Sequence, residues 1–298
     1  MRHPPIMSRN TEDAAPAASV TRLGGPRSDR SRAGTVPRMP YPVDHVLRYG
    51  SHPEQLADVR LARHDPSRAV VLLVHGGFWR QEYDRHHTDA LAADLTGEGF
   101  TVASVEYRRL GGSGGWPATF DDVAAAVDTL PDLVAATTHD AQRVVLLGHS
   151  AGGHLVLWAA GRHHLPATSR WHLPERPSLQ GIVALAPVAD LAMGDRLSLD
   201  DDAVAQLLGG HLVEQPERYA QCDPSAPLPP AARTVIVHGS EDRHVPIALS
   251  HRYIEATLAE TADVRLDVIE GAEHFAVIEP GSPAWPRVLA ALDSVLGD

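Results

Sequence analysis

From Tyr41 onward, short unbroken apolar runs alternate with longer stretches whose apolar residues recur every three or four positions. The short runs predict strands buried on both faces, and the longer ones predict helices packed by one side. Eight strands are expected, at HVLRY (45–49), DVRLA (58–62), AVVLLV (69–74), TVASVEY (101–107), RVVLLG (143–148), GIVALA (181–186), TVIVHG (234–239) and VRLDVI (264–269). Helices are expected at HTDALAADLTG (87–97), TFDDVAAAVDTL (119–130), AGGHLVLWAAG (151–161), IALSHRYIEATLA (247–259) and PRVLAALDSVL (286–296). The first two strands lie too close for an intervening helix, which implies a hairpin. The later ones are separated by helices, which implies parallel crossovers and an α/β class. The resulting sheet is mixed at one edge and parallel elsewhere. In such sheets ligands sit beyond the carboxyl ends of the strands, so residues just after strands carry the most information.

Composition narrows the function. With 298 residues, 43% of them hydrophobic, the chain can bury a large core, and no internal repeat or second domain boundary divides it. Residues 1–40 are rich in Pro, Ser and Ala with scattered Arg. They are expected to form a disordered tail ahead of a single domain over 41–298, and the shift at RMPYPVDHV makes Met39 a candidate start. All 26 basic residues are Arg, which excludes a lysine Schiff base and a P-loop lysine. The one cysteine, Cys222, excludes an intramolecular disulfide and a CxxC pair. A net charge of -12 argues against a nucleic-acid partner, and no apolar run is long enough for a membrane span. With no secretory signal in view, a cytoplasmic location is expected.

The chemistry concentrates at three strand ends. GHSAG (148–152) matches G-x-S-x-G between an expected strand and an expected helix, the context in which a tight turn exposes Ser150 and aims a helix N-terminus at it. A serine hydroxyl needs a base, and the base needs an orienting carboxylate. TVIVHG is followed by SEDRHVP, which offers Asp242 with Glu241 beside it, and VRLDVI is followed by EGAEHF, which offers His274. The chain order is Ser, Asp, His. In LLVHGGFWR (72–80) a strand ends in His-Gly-Gly, so the amides of Gly77 and Phe78 are candidates to join that of Ala151 in an oxyanion hole.

On these residues the chain resembles an α/β-hydrolase of the esterase/lipase branch with an HGG oxyanion strand. HGGFW and GHSAGGHL are similar to the motifs of kynurenine formamidases. The resemblance implies an α/β-hydrolase fold with an eight-stranded, mostly parallel sheet flanked by helices and at most a small lid. It also implies Ser150 as nucleophile, His274 as base and Asp242 as its partner. Phe78 stands where the HGGG lipases carry a third glycine. The expected activity is cleavage of a small carboxylic ester or amide through an acyl-enzyme, with no cofactor and no metal. A specific N-formylkynurenine formamidase and a non-catalytic ligand-binding protein of the same fold are the alternatives. Nothing in the sequence sets the oligomeric state.

Weaker signals complete the picture. Trp79 and Trp116 are candidates for the substrate pocket, and Trp158 for pocket or core. WHLPERPSL (171–179) and the stretch 191–230 are candidates for a partial lid. LGGSGGW (110–116) lacks the dinucleotide fingerprint and reads as an active-site loop. Arg80 and Arg109 are candidates to pair with a substrate carboxylate, and His149 is expected to pack within the turn. Adjacent histidines at 86–87 and 163–164 without HExxH give no metal site.

Overall fold

The computed structural model describes residues 41–63, 68–138, 143–226, 230–258 and 263–297. The expected N-terminal tail and the candidate start at Met39 lie outside them. Eight strands form one sheet: β1 (His45–Arg48), β2 (Leu56–Arg60), β3 (Val70–Val74), β4 (Thr101–Val105), β5 (Val144–His149), β6 (Gly181–Leu185), β7 (Thr234–Gly239) and β8 (Val264–Ile269). Their spatial order is β1-β2-β4-β3-β5-β6-β7-β8. β1 and β2 pair antiparallel, β2 meets β4 antiparallel, and every later pairing is parallel. This is the α/β-hydrolase fold.

Alternation along the central strands builds two cores. In β3, Val70, Leu72 and Val74 join one buried cluster, while Val71 and Leu73 join the other across the sheet. The helices that cover these faces are α1 (Asp89–Gly97), α2 (Ala118–Thr138), α3 (Ala151–Gly161), α4 (Leu191–Arg196), α5 (Leu199–Leu208), α6 (Pro216–Cys222), α7 (Ala248–Leu258) and α8 (Trp285–Leu296). α3 has no polar face to present to water, and every one of its residues is buried. A helix apolar all round belongs in the interior.

Two departures from the sequence reading have physical causes. α2 runs eight residues beyond Leu130, through Pro131. Proline removes an N–H and crowds the preceding turn, yet Val134 beyond it is fully buried and Leu133 packs on the same core, so tertiary burial carries the helix past the break. The stretch between β6 and β7 forms α4, α5 and α6, and Leu191, Val204, Leu207, Leu208 and Cys222 bury into the larger core. That insertion is anchored from below. Its second helix begins with a left-handed turn in which Ser198, Asp200, Asp201 and Asp202 all have positive φ.

Candidate active site

Parallel register brings the three sequence-predicted loops to one rim. Val74 of β3 pairs with Gly148 of β5, so the chain leaves both strands side by side, as HGG from one and HSAGG from the other. A β-carbon built on Gly76 would stand 3.0 Å from Ser150 Cβ and 2.8 Å from the His149 carbonyl. On Gly152 it would collide with the carbonyls of Val74 and His75, and on Gly148 with the carbonyl of Gly152. The motif glycines are therefore what allows β3, the turn and α3 to approach so closely. Ser150 itself has φ 56° and ψ -117°. Such a conformation in a non-glycine residue costs on the order of 1–3 kcal/mol and persists only where the surroundings hold it. Here its N–H donates to Leu185 O at 2.8 Å, while its carbonyl accepts from His154 N at 3.0 Å and Val188 N at 3.2 Å.

Asp242 follows β7 and is held by the loop it opens. Its Oδ1 accepts the backbone N–H of His244 at 2.9 Å and of Val245 at 2.8 Å. Its Oδ2 accepts Nδ1–H of His274 at 2.6 Å. Burial opposes the charge on Asp242, but hydrogen bonds from His238 and His274 outweigh it and hold the carboxyl well below the usual carboxylate range. Glu241, its neighbour in sequence, points to solvent. His274 is 3% exposed, and burial lowers its pKa while the bond to Asp242 opposes that shift. Because Nδ1 is committed to Asp242, Nε2 is the nitrogen left for proton transfer.

The loop carrying His274 is tied to the nucleophile turn. Nε2–H of His149, the residue before Ser150, donates to the His274 carbonyl at 3.1 Å, and the two rings lie 4.6 Å apart. Burial holds His149 well below the ordinary histidine pKa, so it is a neutral strut here. Ser150 and His274 are 1% and 3% exposed. The structure therefore joins Asp242 to His274 and ties the His274 loop to the residue before Ser150.

Fold and site together now bear on ancestry. A model of the BD-FAE family matches residues 58–257. The chain belongs to the BD-FAE family of α/β-hydrolase esterases. It is 30% identical over 244 residues to a monoacylglycerol lipase of Mycolicibacterium smegmatis, covering 72% of this chain and 84% of the relative. Esterase LipC of Mycobacterium tuberculosis is 25% identical over 254 residues, covering 81% of this chain but 62% of that protein. Among solved structures, esterase B from Lactobacillus Rhamnosis (HN001) superposes with a TM-score of 0.68 at 20% identity, covering 84% of each chain. A thermophilic esterase from Thermogutta terrifontis gives 0.65 at 21% identity, over 86% of this chain and 92% of its own. These last two likenesses speak to the fold. The BD-FAE chain is thus an esterase/lipase-like hydrolase, and among its described residues no helix is long and apolar enough to cross a membrane.

The HGG segment at the end of β3 rests on a network of buried charge. Gly77, Phe78 and Trp79 have φ of 102°, 47° and 58°, three left-handed residues in a row. The turn is closed by Arg80 N–H to Gly77 O at 2.9 Å and fastened by Leu110 N–H to Trp79 O at 2.7 Å. Behind it, the buried Glu106 carboxylate pairs with Arg109 and accepts from Tyr107 N at 3.1 Å and Arg85 N at 3.1 Å, with His75 Nε2 at 3.2 Å. The Tyr107 hydroxyl donates to His75 O at 2.9 Å. Burial pushes His75 down to about 3, so it stays neutral. None of this network was legible in the sequence, where Glu106 and Arg109 are two charges in a polar run; only the two-layer packing reveals that they are buried.

Two sequence expectations change, for Trp79 and for the arginines. Trp79 has no solvent exposure and lies edge-on to His154 inside the larger core, 5.3 Å between ring centres. Trp116, the other pocket candidate, is partly exposed, with the Arg218 guanidinium over its ring at 4.1 Å and its backbone N–H donating to Leu207 O at 2.7 Å. Neither arginine is free for a substrate carboxylate: Arg109 is taken by Glu106 and Glu54, and Arg80 by Asp200 and Gln206.

Proposed function

We propose that this protein is a serine hydrolase cleaving a small carboxylic ester or amide through an acyl-enzyme, with Ser150, His274 and Asp242 as its triad. The observation that carries this reading is the buried Asp242–His274 bond at 2.6 Å, on a loop fastened to the residue preceding a serine held at φ 56°. His274 Nε2 takes the Ser150 proton as Oγ attacks the carbonyl carbon, and Asp242 stabilises the imidazolium that forms. The amides of Gly77, Phe78 and Ala151 donate to the developing oxyanion. Ala151 opens α3, so its N–H has no partner one turn back in the helix. The imidazolium proton passes to the leaving-group oxygen or nitrogen. Water then gives its proton to His274 and attacks the acyl carbon, and the proton returns to Ser150 as the acid departs.

Ser150→Ala is expected to abolish p-nitrophenyl acetate hydrolysis while the melting temperature stays close to that of the parent; near-normal turnover would overturn the assignment. The aromatic pair Phe78-Trp79 after HGG favours one narrower reading, a formamidase acting on N-formylkynurenine. Comparing kcat/KM for that amide and for short-chain esters separates the two. A non-catalytic ligand-binding protein is distinguished by its failure to take a fluorophosphonate label at Ser150.

A further inference from the structure

One buried polar residue outside the triad is placed to act on it. His238 is the penultimate residue of β7, in the otherwise apolar run TVIVHG, and its side chain has no solvent exposure. Its Nε2 lies 3.2 Å from Asp242 Oδ2, the oxygen that also accepts from His274, and 2.9 Å from the Val245 carbonyl. Its Nδ1 lies 2.8 Å from the hydroxyl of Ser250 on α7. A carboxylate and a carbonyl can only accept, so Nε2 must carry the hydrogen. In the neutral ring Nδ1 is then an acceptor, and the Ser250 hydroxyl donates to it. Ser250 thereby selects the tautomer whose Nε2–H is shared between the Val245 carbonyl and Asp242 Oδ2.

We propose that His238 is a positioning residue for the reaction: backed by Ser250, it fixes the Asp242 carboxylate and moderates that carboxylate's pull on the His274 proton. The inference rests on the triad reading above. An Asp242 bonded through Oδ2 to His274 alone would concentrate its charge on that imidazole and favour the protonated, inactive base. A second imidazole donor on the same oxygen spreads the charge and adds to the hold that the two backbone amides have on Oδ1. The other titratable groups around this chain of bonds are His149 at the end of β5, 4.6 Å from the His274 ring, His244 after β7, 5.2 Å from it, and His87, 6.3 Å from the His149 ring and electrostatically coupled to His274. Asp242 Oδ1 is occupied by the two backbone amides.

The test is a pair of variants that differ in reach. Gln at 238 extends an N–H to the position of Nε2, whereas Asn ends near the position of Nδ1 and cannot touch Asp242. The kcat/KM–pH profile is measured with a short-chain ester, together with the melting temperature and fluorophosphonate labelling. His238→Gln should keep the parent acid limb. His238→Asn should move that limb upward by about half to one pH unit and lower kcat about tenfold with KM little changed. An Asn variant with the parent limb, or equal shifts in both variants, would overturn the proposal. Should either fail to fold, Ser250→Ala supplies the same test from outside β7. Without the hydroxyl, Nε2–H is a weaker donor, so a smaller upward shift is expected and an unchanged profile refutes the idea. If the parent protein takes no label at Ser150, the triad reading falls and this inference with it. A labelled parent whose Asn variant keeps the parent limb sinks this inference alone.

Discussion

Asp242→Asn is the substitution whose effect can be worked furthest from the geometry. The carboxylate is buried, and two of its four contacts come from backbone amides on Oδ1 that an amide oxygen can still satisfy. The loop should therefore stay in place. What changes is Oδ2, which receives Nδ1–H of His274 at 2.6 Å and has His238 Nε2 3.2 Å away. In the transition state this carboxylate faces an imidazolium. With about 4 Å between charge centres and an effective dielectric of about 20, their attraction is about 4 kcal/mol, which is about a thousandfold in rate. The Asn NH2 adds a second penalty. Facing His274 Nδ1, it favours the tautomer with the hydrogen on Nε2, which masks the base. The expected loss in kcat for a short-chain ester is on the order of 10³–10⁴, with KM little changed. Fluorophosphonate labelling should slow in parallel, because it uses the same activated hydroxyl. A loss of less than about tenfold in a variant with intact near-ultraviolet circular dichroism would refute the reasoning.

Three further outcomes are expected. Burial lowers the His274 pKa, so the acid limb of kcat/KM should have its midpoint below the ordinary histidine value of about 6.5; a midpoint above 7 would contradict the burial argument. Stability should follow the same direction. The folded pKa values of His75, His274 and Asp242 are all depressed, so the unfolded chain binds more protons. Their contributions, complete above the unfolded values, begin to be lost as pH falls below about 6.5 for the histidines and about 4 for Asp242, and the loss continues until pH passes the depressed folded values, about 3 for His75. Thermal melts between pH 7 and 3.5 should show a continuous decline. Arg109→Ala leaves Glu106 buried without its guanidinium and should destabilise the fold by about 3–5 kcal/mol in urea titration, a value under about 1 kcal/mol contradicting the assignment. Cys222 has no solvent exposure, and burial raises its thiol pKa. It should react with a thiol reagent only on unfolding, so rapid labelling of the native protein would argue against the packing of α6.

The apolar pattern along the chain was enough to specify the strands, the class of fold and the order in which the reactive residues appear. All eight expected strands are present, because a run such as VVLLV buried on both faces is stable only in a covered sheet, whatever lies beyond it. Ser150, Asp242 and His274 were legible because each follows a strand, and parallel strands put such positions on one rim. Local pattern failed where a residue's environment comes from distant chain. Pro131 stays helical because Val134 is buried by other elements, and Trp79 is core because its turn folds inward. Arg80 is committed to an aspartate 120 positions away, in a left-handed turn that no propensity predicts. Partner choice also belongs to the tertiary structure. The contact of His238 with Asp242 and Ser250, and that of His75 with Glu106 and Tyr107, exist because layers of the fold close over them. A sequence shows which groups are polar, but burial decides which of them must find one another.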